Sequence, residues 1–237
     1  MSHSNDLGAP ISRRGFLGAS AAGAVSLLAA GCTTRRSPGP VEPPPPPPVE
    51  ANYRAMYGEM VDGGFVIPAV PIEKVDRRFY RQEVRDPTGQ APGTVVVDTS
   101  SHFLYLVMPG GRAMRYGVGL GRAGFEWAGS AVIQWKQKWP TWTPPTEMIL
   151  RKPELEKYSA ANGGMPPGLD NPLGARAHYI FQDGVDTLYR VHGSPEWWSI
   201  GQSVSSGCVR MINQDVIDLY ERVKPGSPIV VGGASVA

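Results

Sequence analysis

Cys208 is the one cysteine in the body of this 237-residue chain, and its neighbours suit a nucleophile. Attack by Cys needs a thiolate, a base to make it, and donors for the oxyanion that develops on the attacked carbonyl. Ser205-Ser206-Gly207-Cys208 can supply the donors. A Gly just before the nucleophile permits a tight turn that aims successive backbone N–H groups at one point. His192 is the natural base. It closes a stretch with strand character, Gly193 follows it, and 16 residues separate it from Cys208. That spacing lets two adjacent elements bring the side chains together across a loop. Arg210, two residues past the sulfur, adds a fixed positive charge that favours thiolate and can hold a substrate carboxylate. Taken alone, the same residues also allow a small buried Cys without chemistry, or a disulfide to Cys32. The rival imidazoles are His102, which opens a strand, and His178, within an Ala-His-Tyr-Ile strand that suits a structural role.

The elements that must position these residues read as β-rich. Residues 94–98, 103–108 and 113–119 form three strands, with Pro109-Gly110-Gly111 as a turn. Further strands are expected at 131–135, 177–181, 188–192 and 229–231. Short strands punctuated by Gly and Pro indicate a sandwich or barrel rather than βαβ units. One helix is expected at 213–223. Asn213 can cap it, Asp215 sits in its first turn, and Val216, Leu219, Tyr220 and Val223 form one apolar stripe. Pro225-Gly226 stops it.

The first 31 residues read as an export address. Ser12-Arg13-Arg14-Gly15-Phe16-Leu17 precedes a Gly- and Ala-rich apolar stretch, the layout of a twin-arginine signal. Leu28-Ala29-Ala30-Gly31-Cys32 resembles a lipobox, in which Cys32 would be acylated, although Ala29 stands where Leu is commoner. Ordinary cleavage near Ala30 and an uncleaved anchor are the alternatives. Residues 32–50 form a tether. Its six-proline run, Pro43 to Pro48, makes a stiff polyproline II rod on the order of 20 Å long. Residues 51–91 are expected to be an N-terminal extension packing on the main domain, with no chemistry of their own.

Composition narrows the function. A formal charge of +2 with no basic stripe argues against nucleic acid as partner. Loss of residues 1–31 removes Asp6, Arg13 and Arg14 and leaves a net charge of +1, so long-range steering is not the basis of function. Two cysteines and four histidines leave little for a disulfide scaffold or a metal centre. No metal or organic cofactor is expected.

HGS followed by SSGCVRM resembles the L,D-transpeptidase catalytic domain, the YkuD or ErfK/YbiS/YcfS/YnhG family. The family pattern is HG-x(n)-S-[HS]-G-C-[IV]-R. Pro140-Thr141-Trp142-Thr143-Pro144-Pro145 and Asn171-Pro172-Leu173-Gly174-Ala175-Arg176 resemble segments beside the substrate groove in proteobacterial members. The resemblance covers roughly residues 92–232, and the catalytic domain is set at 92–233. Ser206 stands where many members have His, which leaves His192 as the sole base.

The resemblance implies a mainly β fold, a YkuD-like sandwich of mixed sheets with one short helix after the catalytic Cys. It implies a peptidoglycan tetrapeptide stem as substrate. Cys208 would attack the carbonyl of the third residue, releasing D-Ala, and His192 would shuttle the proton. The Gly193 carbonyl would orient the imidazole, backbone N–H groups at Ser206, Gly207 and Cys208 would hold the oxyanion, and Arg210 would fix local geometry or bind a carboxylate. The thioester would pass to an amine on another stem, giving a 3→3 cross-link, or on an envelope protein. A hydrolase on the same fold and a silent wall-binding module are the alternatives. Trp139, Trp142, Trp197 and Trp198 would line the groove or pack in the core. The expected location is the periplasm or cell envelope, with the lipid on Cys32 as the membrane anchor.

Overall fold

The computed structural model describes residues 51–121, 128–205 and 208–232. The expectations placed on residues 1–50, Cys32 among them, and on Ser206 and Gly207 lie outside the described residues.

The chain opens with a short helix, α1 (Ala51–Met56), and a hairpin of β1 (Met60–Asp62) and β2 (Phe65–Ile67). Next come β3 (Gln82–Arg85), β4 (Val95–Asp98), β5 (Phe103–Met108), β6 (Arg112–Gly117), β7 (Leu120–Gly121) and β8 (Gly129–Lys138). Helix α2 (Thr146–Arg151) leads through 3-10 turns to β9 (Arg176–Gln182) and β10 (Val185–Ser194). The last elements are β11 (Ser203–Ser205), β12 (Val209–Ile212), α3 (Asn213–Arg222) and β13 (Ser227–Gly232).

The fold is mainly β, built on a nine-stranded mixed sheet in the order β12-β10-β9-β8-β13-β4-β5-β6-β3. Two of its pairings, β12 with β10 and β13 with β4, are parallel. β4 reads Val95-Val96-Val97 and is buried on both faces, as a continuous β-branched run should be. Each expected strand is present, and the later ones run longer than their apolar centres. The turn after β5 carries Gly110 and Gly111 at φ +77° and +68°, which side-chain-bearing residues rarely adopt. α3 follows β12 without a loop and drives Val216 and Leu219 into the core with Val95, Leu104, Ile133, Val191 and Met211.

Asn213 does not cap α3. It is the first helical residue, Ile212 holds the cap position, and no side chain caps the helix. Asn213 instead turns its Oδ1 toward the sheet and accepts the Ala175 N–H at 3.0 Å.

Residues 51–91 are tied into the rest by buried polar contacts. β3 extends the large sheet beyond β6. Tyr57 Oη donates to Asp215 in the first turn of α3 at 3.1 Å and accepts the Arg81 N–H at 2.7 Å. Arg81 approaches both Asp215, at 3.7 Å, and Asp218, at 3.3 Å. Burial pushes the Asp215 carboxyl up to about 7, while the Arg81 charge opposes the rise. Arg176 on β9 is fully buried and makes paired contacts of 2.7 and 2.8 Å with Asp62. Among the described residues, no helix is long and apolar enough to cross a membrane.

Candidate functional site

β10 and β12 run parallel and side by side, which brings His192 and Cys208 onto neighbouring chain segments. Their register pairs Val191 with Val209 and His192 with Arg210. Registered partners point to the same face, and successive residues alternate. His192 and Arg210 therefore share one face with Arg190, while Val191, Val209 and Met211 turn into the core on the other. Cys208 precedes β12 by one residue and falls on the face of His192. One strand spacing across and two residues along put the two Cα atoms about 8 Å apart, a gap that an imidazole and a thiol can close. Cys208 carries a free thiol and is neither fully buried nor fully exposed.

The orientation of the imidazole is fixed by the main chain. His192 Nδ1 lies 2.6 Å from the Gly193 carbonyl oxygen. A carbonyl only accepts, so Nδ1 carries the hydrogen and Nε2 of the neutral ring keeps a free lone pair. Position 193 must be glycine for this backbone to exist. A Cβ there would sit 2.3 Å from Asn213 Oδ1 and 2.9 Å from Val216 Cγ1. Asn213 meets Gly174 in the same way, so one amide packs the backbones of β10 and of the 171–175 turn together.

Electrostatics set the resting state of the pair. Burial pushes His192 down to about 4, and the Arg210 and Arg190 charges push the same way. The carbonyls of Gly193 and Pro172 favour the protonated ring. Burial raises the Cys208 thiol, while a backbone hydrogen bond from Arg190 and the charges of Arg190 and Arg210 pull it back. Both shifts favour the neutral thiol and the neutral imidazole at neutral pH. The expected help from Arg210 toward a standing thiolate is smaller than the cost of burial, and Arg210 is itself ion-paired with Glu196.

This has a consequence for pH. A ring held near 4 remains an acceptor down to that pH, so the acid limb of kcat/KM should have its midpoint near 4 rather than 6.5. A limb at 6.5 would mean that the imidazole is solvated in the free enzyme. Stability moves in the same direction. His192 and His178 are both held down to about 4, so the unfolded chain binds more protons between 6.5 and 4. Their contribution is complete above 6.5 and lost as pH falls through that window.

The rival histidines are elsewhere. His178 is fully buried on the core-side face of β9, where its ring lies 5.6 Å from that of Tyr220. His102 sits in the turn before β5 at φ +61°, with Nε2 3.1 Å from Ser203 Oγ. The tryptophans divide. Trp139 is a core residue that packs with Ile67 and Ala175 and donates to Asp62. Trp197 packs against the cluster around Tyr57 and Ile200. Trp142 is half-buried and pairs with Met165, and Trp198 is exposed. Among the described residues, no three His, Cys, Asp or Glu side chains are grouped as metal ligands.

The sequence did not show the roles of three contributors: Arg190, Pro172 and Asn213. Arg190 had a signal, since alternation along residues 188–192 places it on the side of His192. Pro172 lay within the segment 171–176 that resembles a groove-flanking one, and Asn213 was expected as a helix cap, but the contacts through which each acts had no signal.

The model of the L,D-transpeptidase catalytic domain (YkuD) matches residues 92–231. The probable L,D-transpeptidase ErfK/SrfK of Escherichia coli K12 is 31% identical over 140 residues, 58% of this chain and 43% of that protein. The probable L,D-transpeptidase YbiS of the same strain is 34% identical over 120 residues, 47% of this chain and 35% of its own. The chain thus spans less than half the length of these relatives. A crystal structure from Brucella melitensis, described as a probable carnitine operon oxidoreductase, is 46% identical over 66% of this chain and 96% of that chain, with a TM-score of 0.47. With the family pattern matched over more than half of its residues, this chain belongs to the L,D-transpeptidase catalytic-domain (YkuD) family.

Proposed function

We propose that this protein is a peptidoglycan L,D-transpeptidase that works through a Cys208 thioester. The observation that carries the reading is the His192 ring, tied at Nδ1 to the Gly193 carbonyl on the face it shares with Cys208. His192 Nε2 takes the thiol proton as the sulfur attacks the carbonyl of the third residue of a tetrapeptide stem. The imidazolium formed is stabilised by the Gly193 and Pro172 carbonyls, the role a carboxylate plays in serine triads. Backbone N–H groups at Ser206, Gly207 and Cys208 receive the oxyanion in this reading. Collapse breaks the C–N bond, and the imidazolium returns its proton to the departing D-Ala amine. An acceptor amine then attacks the thioester carbonyl, His192 takes the amine's proton, and the thiol is regenerated. The acceptor is the side-chain amine of a second stem or of an envelope protein. Arg210, held by Glu196, supplies positive charge beside the stem.

The test is incubation of the chain with tetrapeptide-bearing muropeptides and mass spectrometry of the products. Cross-linked dimers with free D-Ala are expected. Tripeptide alone would identify a hydrolase on the same fold, and unchanged substrate would end the reading.

The reading includes export by the twin-arginine route and a lipid on Cys32, with residues 33–50 spacing the domain from the membrane. Cys32→Ala should then move the protein from the membrane to the soluble fraction. Unchanged fractionation would remove the anchor.

A further inference from the structure

A row of side chains crosses the sheet on the same face as the candidate site and ends at Cys208. The registers pair Trp135 on β8 with Tyr179 on β9, and Tyr179 with Arg190 on β10. One step further, at the level of Arg190, lies Cys208, which feels both the backbone and the charge of Arg190. The rings of Trp135 and Tyr179 are stacked, with centroids 3.8 Å apart and planes 12° from parallel. The Arg190 guanidinium covers the Tyr179 ring at 4.3 Å.

The row is built rather than incidental. Arg190 is held by two contacts of 2.7 Å from Asp186 and by one of 2.8 Å to the Tyr189 carbonyl. The Asp186 carboxylate also receives the Leu188 N–H, in an irregular stretch of β10 where Leu188 stands at φ +61°. A side-chain-bearing residue at that φ costs free energy that the surroundings must offset. What the irregularity secures is the position of Arg190 over Tyr179. Tyr179 is thus covered on one side by the cation and on the other by the indole.

Trp135 ends the row with its surface open. It is 42% exposed even though its ring is stacked on Tyr179. β13, the next strand, begins at Ser227 opposite Ile133, so Trp135 has no strand partner on that side. Gly226 lies just before that strand, with nothing within 4 Å of where its Cβ would be. Its other neighbours are polar: Gln134 is exposed, and Gln137 lies 3.5 Å from Tyr179 Oη. A flat ring held by stacking, with glutamines on the same strand, suits a pyranose, which has an apolar C–H face and hydroxyls at its edge.

The spacing selects which pyranose. Three strand-to-strand steps separate Trp135 from Cys208, about 14 Å. A stem attacked at the carbonyl of its third residue has three extended residues on the sugar side, about 10 Å, and then the linkage to the amino sugar. The sugar that bears the stem therefore reaches the indole when the third carbonyl is at the sulfur. We propose that Trp135, backed by Tyr179 and Arg190, is a pyranose-stacking subsite that takes the amino sugar at the root of the stem peptide. This rests on the transpeptidase reading for the identity of the peptide, and adds that the enzyme grips the glycan as well.

Calorimetry on the full chain carrying Cys208→Ala tests it without turnover. The ligands are a disaccharide-tetrapeptide, the same tetrapeptide without sugar, and the disaccharide alone. The sugar-bearing peptide should bind about tenfold more tightly than the bare one. Trp135→Ala should erase that difference, and Trp135→Phe, which keeps a ring, should retain most of it. Equal affinities for the two peptides, or a difference that survives Trp135→Ala, overturn the subsite. Disaccharide binding that depends on Trp135, in a chain whose wild type leaves muropeptides unchanged, would support the subsite while ending the acyl-transfer reading.

Discussion

Cys208→Ala should abolish covalent labelling by a carbapenem, with no adduct mass at any time point. A carbapenem acylates the group that the stem would acylate, and a methyl group has no lone pair to attack with. Among the described residues Cys208 is the one thiol, and neither rival imidazole is placed to stand in. His102 is engaged with Ser203, and His178 is buried on the opposite face. The substitution removes one sulfur at a partly accessible position, so the fold should be retained, and circular dichroism of the variant checks this. Undiminished labelling in a folded variant would end the assignment of Cys208 as nucleophile.

His192→Ala should lower kcat/KM by about 10²–10⁴-fold, the usual contribution of a positioned general base. The size of the effect follows from the resting state. Burial keeps the thiol protonated, so there is no standing thiolate to react unaided, and the proton must leave as the sulfur attacks. Without the imidazole the only route is ionisation by solvent. The residual rate of the variant should therefore climb steadily with pH toward the raised pKa of the thiol, whereas the wild type should be flat across neutrality. That change of pH profile separates a lost base from a merely damaged fold. Wild-type turnover in His192→Ala, or a pH profile of unchanged shape, would place the base elsewhere.

How much of this was readable in the sequence depends on the distance over which each signal acts. The candidate nucleophile and base stand out in the sequence because Ser-Ser-Gly-Cys and a His-Gly pair after an apolar run are local residue patterns. The β class is legible because runs such as 94–98 and 103–108 show their burial directly in composition. The helix at 213–222 is legible from its apolar stripe. The role of Asn213 was misread for the same reason. Local preference favours Asn as a helix cap, but the tertiary contact with the Ala175 N–H and the Gly193 backbone took its side chain away. Trp139 was ambiguous in sequence, since an aromatic between strands serves a groove or a core equally, and only the partner Asp62, far away in the chain, decides.

The amino-acid order alone determined which atoms can react and that they ride on β-structure, because reactivity belongs to side-chain type and strand formation to short-range pattern. The tertiary structure alone decided their states. It set the parallel register of β10 and β12, the burial that disfavours charge on His192 and Cys208, and the Gly193 carbonyl that chooses the ring tautomer. It also set the Trp135-Tyr179-Arg190 row that reaches the sulfur across three strands. Register, burial and through-space charge depend on pairings between strands, such as Val191 with Val209 and Trp135 with Tyr179, and no local pattern encodes which strands will be neighbours.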